Sequence, residues 1–301
     1  SAHHISPYDL APLDPFRVSW PNTGAWVGGT RDRETRYAGA GSIRLQDDSA
    51  QANVSTRFAE PISIPEGGLR LTFRYRTAEP GHAFIVTFNH SDGNGQWMSG
   101  RNNDMRVTGD GTWQLFDRTV TRFPVEARSL VLTVWATTYR EDGALTGTVW
   151  CDDLSLTDAT TGKNLVTGGD FEPVAADSLT PLFDWAAWDR AMTEAIDTYH
   201  FNSFRFPVQG MGGGTFHARR DPNLLGYAEN TPEYQHAFKT FCSAVEAHLQ
   251  EKGWLDEAYV YWFDEPDPKD YEFVMNGFRK LKTEAPGLRR MLTEQVEDAL
   301  I

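Results

Sequence analysis

The sequence is poor in the features that place a chain quickly: cysteine, basic charge and long apolar runs. Its two cysteines, Cys151 and Cys242, lie far apart in segments of different character. They read as two separate buried thiols in preference to one disulfide. No Cys/His cluster has zinc spacing. Lys and Arg total 28 against 42 Asp and Glu, a net charge of −14 over 301 residues with a pI near 5.0. That balance argues against nucleic acid or an anionic membrane surface as the main partner. No apolar run approaches the ~20 residues of a membrane span. The opening Ser1-Ala-His-His-Ile5 is not a basic-then-apolar leader, and reads as the middle of a longer protein.

Aromatic residues, by contrast, make up 13% of the chain. Sugar-binding proteins share that bias because rings stack on pyranose faces, although a well-packed β core has it too. Residues 1–15 are punctuated by Pro7, Pro12 and Pro15 and read as a connecting segment. From 16 to 175 the pattern is that of an antiparallel β-sandwich. Short runs rich in Val, Thr, Phe, Trp and Leu recur between Gly, Asn and Asp turns, and Leu69–Tyr75 alternates apolar residues with Arg or Thr. About eight such strands predict a jelly roll. Asp92-Gly-Asn-Gly95 reads as a hairpin turn rather than a calcium loop. Trp97, Trp113, Trp135 and Tyr139 are candidates for a glycan platform, with core packing as the competing fate.

From 176 to 301 the order becomes helix, strand, helix, strand, helix, strand, the repeat of a (β/α) barrel. Trp185, Trp188, Met192, Ala195, Ile196 and Tyr199 fall at helical spacing, and Asn202–Val208 reads as a strand. A helix follows with Thr231 as N-cap, Pro232 at its first position and Gly253 past its end. A third helix is expected to be capped by Asp267. Between them runs Ala258-Tyr-Val-Tyr-Trp-Phe-Asp264-Glu265-Pro266, an apolar strand without alternation that stops on two acids. Pro266 is expected to hold Glu265 extended. A complete barrel needs about 250 residues, so the expectation is a partial (β/α)8 barrel with the sandwich inserted in a loop.

The carboxyl end of a buried parallel strand is where barrels put their chemistry, which makes Asp264 and Glu265 the candidate catalytic pair. The plain alternative is two solvated acids at a strand end. Upstream, Gly210–Gly214 is either a loop that lets a sugar approach the backbone or a set of turns. It is not a phosphate loop, since no Gly-Lys-Ser/Thr follows. Arg205, Gln209 and His217 flank it as candidate substrate-binding residues, each of which taken alone reads as structural. Trp262, inside the strand, is a candidate stacking surface or a core residue.

Through Phe204-Arg-Phe-Pro-Val-Gln-Gly-Met-Gly-Gly-Gly-Thr-Phe216 and Tyr259-Val-Tyr-Trp-Phe-Asp264-Glu265-Pro266, the chain resembles the catalytic domain of glycoside hydrolase family 123. The sandwich, with Val149-Trp-Cys-Asp152-Asp153-Leu-Ser-Leu156 and Asn164–Glu172, resembles galactose-binding-type jelly rolls found in carbohydrate-binding modules. The resemblance implies substrate-assisted, retaining hydrolysis of β-linked N-acetylhexosaminides, N-acetylgalactosamine above all. Asp264 would stabilise the acetamido group and Glu265 would act as acid and then base. It implies a glycan as partner, no cofactor for catalysis, and a bacterial protein that is secreted or periplasmic. It also implies a structural calcium in the sandwich with Asp152 or Asp153 among its ligands. Two other functions fit the residues: a non-catalytic carbohydrate-binding protein, and a hydrolase of a sugar without an acetamido group.

Overall fold

The computed structural model describes residues 16–293 apart from 22, 24, 49–52, 139–145, 216 and 217. The chain divides into two units, one of residues 23–174 and one that joins residues 1–22 to 175–301. The first is thus inserted in the second along the chain.

After β1 (Arg17–Ser19), the described residues of the inserted unit form eleven strands. These are β2 (Trp26–Val27), β3 (Thr30–Asp32), β4 (Ser42–Asp47), β5 (Ser55–Phe58), β6 (Ile62–Ser63), β7 (Leu69–Thr77), β8 (Ala83–Ser91), β9 (Asn103–Thr108), β10 (Gln114–Val120), β11 (Ser129–Trp135) and β12 (Gly147–Asp158). They make two antiparallel sheets, one in the order β10-β7-β12-β4-β3 and one in the order β2-β5-β11-β8-β9, with β6 also against β11. The expectation of about eight strands undercounts them, because β2, β3 and β6 are two or three residues long, too short to show alternation.

The core follows the period of two. Leu69, Leu71, Phe73 and Tyr75 of β7 point inward and meet Phe84, Val86 and Phe88 of β8, Leu130, Leu132 and Val134 of β11, and Val149, Cys151, Leu154 and Leu156 of β12. Each such side chain contributes about 1.5–3 kcal/mol when fully buried. Cys151 and Cys242 are free and buried, each in its own unit. The Asp92 turn forms as read. Asp92 Oδ1 accepts from Asn94 N and Gln96 N, and Ser91 bridges Trp97.

In the second unit β1 pairs antiparallel with β13 (Leu182–Asp184). Phe16 stacks on Phe206 at 5.1 Å and packs on Phe183, Trp185 and Trp188, which ties the β1 segment to this unit. Helix α1 (Ala186–Thr193) buries Trp188 and Met192, then relaxes into a π-helical turn over Glu194–Thr198. The apolar face expected to run on to Tyr199 therefore stops short, and Tyr199 is exposed. Next come β14 (Phe204–Arg205), β15 (Gly213–Thr215), β16 (Ala218–Arg220), β17 (Asn223–Leu224) and β18 (Tyr227–Ala228). Helix α2 (Pro232–Lys252), β19 (Ala258–Asp264), α3 (Tyr271–Glu284) and β20 (Arg289–Thr293) complete the unit.

Strand β19 is central. Parallel β20 lies along one side, and β14 and then β15 along the other, with β16 folded back antiparallel on β15. The parallel strands thus follow chain order, with α2 between β15 and β19 and α3 between β19 and β20. Helix α2 has the predicted ends: Thr231 Oγ1 accepts from Tyr234 N at 3.3 Å, and Gly253 closes it at φ +72°. Tyr234, Phe238, Phe241, Val245 and Leu249 form its buried stripe. The start of α3 differs from expectation. A 3-10 turn, Pro268–Asp270, precedes it, and the Asp267 carboxylate makes no cap but pairs with Lys269 at 3.1 Å.

Candidate active site

Two local features of β19 decide what its carboxyl end presents. The first is a bulge. Tyr261 pairs with Met291 and Asp264 with Thr293, so three steps on β19 span two on β20. The extra residue breaks the alternation that would put Tyr261 and Asp264 on opposite faces. Trp262 and Phe263 both turn toward α3, where Phe273 meets them at 5.3 and 5.8 Å. Asp264 turns the other way. Its Oδ1 accepts from the Tyr261 hydroxyl and, at 3.1 Å, from Thr293 Oγ1, while the two hydroxyls are themselves 2.7 Å apart. Among the described residues Oδ2 accepts no hydrogen bond.

The second feature is Glu265. Its φ is +43°, in the left-handed region, where the sequence predicts extended backbone before Pro266. A non-glycine residue there costs on the order of 1–3 kcal/mol and persists only where its surroundings impose it. The imposition is local: the strand is still paired at Asp264, Pro266 is buried, and Asp270 at the end of the following 3-10 turn is buried too. The chain must reverse sharply between them, and Glu265 is left exposed at the corner beside half-buried Asp264.

The glycine-rich stretch supplies the neighbouring edge. Gly213–Thr215 is a strand, not a loop, with Gly214 opposite Phe263 and the Thr215 backbone opposite Asp264. Gly213, at φ +136°, lies over Trp262, so that a Cβ there would stand 3.3 Å from the Trp262 carbonyl oxygen. The entry to this strand is pinned from below. Tyr234 donates to the Gly210 carbonyl at 2.9 Å, and Lys280 donates to Tyr234 Oη at 2.5 Å and to Glu229 at 2.6 Å. Burial lowers the Lys280 ammonium from its usual range, an effect that the Glu229 contact opposes, and burial raises the Tyr234 phenol.

Asp264 and Glu265 follow one another at the end of β19, and Arg205 on β14 approaches the same strand with its guanidinium 5.7 Å from the centre of the Tyr261 ring. Gln209 is exposed on the connection between β14 and β15. Trp262 lies on the helix side of the strand, between the Gly213 backbone and Gly277 of α3, with its ring 5.7 Å from Phe278. His217 and Tyr139 lie outside the described residues. Trp97, Trp113 and Trp135 are not brought together. Trp113 pairs edge-on with Tyr37 beside β10 at 5.9 Å, and Trp135 and Trp97 lie toward opposite ends of the β8–β11 pairing in the other sheet.

Asp152 and Asp153 sit at a bulge of β12 in the inserted unit. Asp152 is buried, and its carboxylate accepts from the backbone N–H groups of Tyr37, Ala38 and Asp153 at 2.9, 3.1 and 2.8 Å. Burial raises the Asp152 carboxyl above the usual range against the pull of those donors. Three N–H groups thus converge on the Asp152 carboxylate, and no group of three or more acids, histidines or cysteines that could hold a metal occurs among the described residues.

Tyr261 and Thr293 are the site residues that periodicity did not reveal. Tyr261 is three positions before Asp264, a spacing that shares a face only across a bulge, and Thr293 arrives from a separate parallel strand.

Comparison with known proteins adds one family. The model of the glycoside hydrolase 123 catalytic domain matches residues 183–290, a span that includes Asp264 and Glu265. No curated protein sequence matches the chain. Among solved structures, the enzymatically active domain of tailspike protein 4 of bacteriophage CBA120 is similar over 47% of this chain at 11% identity and a TM-score of 0.33; this chain spans 19% of it. A family 16 carbohydrate-binding module is similar over 46% of this chain and 90% of its own, at 18% identity and a TM-score of 0.31. A family 11 module from Clostridium thermocellum, in complex with a β-1,3-1,4-mixed-linked tetrasaccharide, is similar over 48% and 90%, at 10% identity and a TM-score of 0.30. No helix among the described residues is long and apolar enough to cross a membrane.

Proposed function

We propose that the second unit is part of the (β/α)8 barrel of a glycoside hydrolase acting on β-linked N-acetylhexosaminides, N-acetylgalactosamine above all, by substrate-assisted retaining hydrolysis. The observation that carries this reading is the catalytic-domain match across residues 183–290, within which two acids end the central parallel strand. Parallel strands in chain order with helical crossovers agree with a barrel.

In the first step the acetamido oxygen of the sugar attacks the anomeric carbon as the glycosidic bond breaks. Glu265 gives its proton to the departing oxygen. Asp264 accepts from the acetamido N–H and stabilises the positive charge of the oxazolinium ion. In the second step Glu265 takes a proton from water, which opens the ring and restores the acetamido group with retained configuration. The exposed position of Glu265 suits exchange of protons with water and leaving group. The inserted sandwich is a carbohydrate-binding unit, and the protein is secreted or periplasmic in a bacterium.

The test pairs an aryl β-N-acetylgalactosaminide with an N-acetylgalactosamine thiazoline, which mimics the oxazolinium ion. Turnover blocked by the thiazoline, and reduced about 10²–10⁴-fold in Glu265→Gln, is the expected result. Turnover indifferent to the thiazoline points to a sugar without an acetamido group. Glycan binding without turnover or thiazoline binding points to a non-catalytic binding protein.

A further inference from the structure

Asp264 must present one of its two carboxylate oxygens to the substrate. A half-buried aspartate at a strand end turns about its side-chain bonds, and either oxygen would meet an incoming N–H. The two oxygens of Asp264 are not equivalent. Oδ1 takes the Tyr261 hydroxyl and Thr293 Oγ1, which are also within hydrogen-bonding distance of each other. Tyr261 is 8% exposed and comes from the strand that carries Asp264, whereas Thr293 comes from β20, the next parallel strand. The bulge in β19 makes this triangle possible, because it puts residues three apart on one face.

We infer that Tyr261 and Thr293 are positioning residues: they hold Asp264 by Oδ1 and leave Oδ2 as the oxygen that accepts from the acetamido N–H of the substrate. Neither need touch the sugar for this role. Tyr261 is held in turn by its own packing and by the Arg205 guanidinium over its ring. The inference rests on the proposed role of Asp264 and adds the two side chains that aim it. A charged acceptor with one oxygen already bonded pays less ordering entropy when the ligand arrives, so the loss of the tether should weaken binding of the charged intermediate more than binding of the neutral sugar.

The test measures affinity of the full chain for the N-acetylgalactosamine thiazoline and for N-acetylgalactosamine by calorimetry. Tyr261→Phe removes one buried hydroxyl and keeps the ring. It should weaken thiazoline binding about tenfold or more, the range for a hydrogen bond to a charged group, with a smaller effect on the neutral sugar. Thr293→Val should do the same to a lesser extent, Thr293→Ser should restore wild-type affinity, and the double variant should lose less than the two singles combined, since both hydroxyls act on one oxygen. Far-ultraviolet circular dichroism and the thermal midpoint of each variant show whether the fold is kept. Tyr261→Phe binding the thiazoline as tightly as wild type, or losing both ligands in equal proportion, overturns the positioning role while the proposed function stands. A wild-type chain that binds no thiazoline overturns the role of Asp264 itself, and this inference with it.

Discussion

Substitution of Gly277 by alanine gives opposite signs for the two places Trp262 can occupy. Gly277 sits in the middle of α3 and is buried. In an open helix interior, alanine in place of glycine stabilises by about 1 kcal/mol through backbone entropy. A stacking surface turned away from α3 would leave Gly277 open and let that gain appear. Instead an added Cβ would stand 2.3, 2.6 and 3.0 Å from three atoms of the Trp262 six-membered ring. The ring has no easy retreat: Phe273 and Phe278 hold it at 5.3 and 5.7 Å, and the Gly213 backbone closes its other side. Forcing a methyl into such a contact costs typically 1–3 kcal/mol, and a rigid indole between two elements belongs at the upper end. The difference is a net destabilisation of about 1–2 kcal/mol for Gly277→Ala, and more for Gly277→Val. Urea unfolding of the full chain followed by tryptophan fluorescence reads it as a lower midpoint at unchanged slope for the transition of the second unit. A variant as stable as wild type, or more stable, would refute the packing of Trp262 against α3 and favour a stacking surface turned away from it.

Other outcomes follow from single features. At Glu265, φ +43° reverses the usual order of small residues, so Glu265→Gly should be more stable than Glu265→Ala by about 1 kcal/mol in urea unfolding; equal stability means an ordinary backbone there. The Asp152 carboxyl is raised in the fold by burial. The folded state therefore holds its proton more tightly than the unfolded chain does, and its contribution to stability is fully present below the ordinary value near 3.8 and lost as pH rises through the raised value. The stability of wild type minus that of Asp152→Asn, measured by denaturant titration at several pH values, should fall with rising pH across that window, and a rise would contradict it. Thr231→Ala removes the N-cap of α2 and should cost about 1 kcal/mol, read as a lower thermal midpoint; no change would mean the cap is dispensable.

Much of the scaffold was legible in the sequence because it depends on periods and on end signals. Alternation from Leu69 to Tyr75 is a property of the pleat itself, and the structure buries those positions in that order. Thr231, Pro232 and Gly253 bound α2 because each satisfies or terminates hydrogen bonds within a few residues of itself. The unbroken apolar run of β19 likewise announced a strand covered on both faces. Elements of two or three residues escaped notice, since β2, β6 and β14 are held by partners distant in the chain.

The sequence by itself determined that a β-rich segment is followed by alternating helices and strands, and that two acids stand where the central strand ends. Those are consequences of local chemistry: apolar spacing, turn residues, and a proline that cannot pair. Only the tertiary structure decided what the two acids face. One extra residue in β19 relative to β20 turned Trp262 and Phe263 to the helix and Asp264 to the hydroxyls of Tyr261 and Thr293. A left-handed corner then set Glu265 apart from the extended path that its proline predicts. Register and backbone reversal arise from pairing between strands about 30 residues apart, and no window of sequence contains both partners.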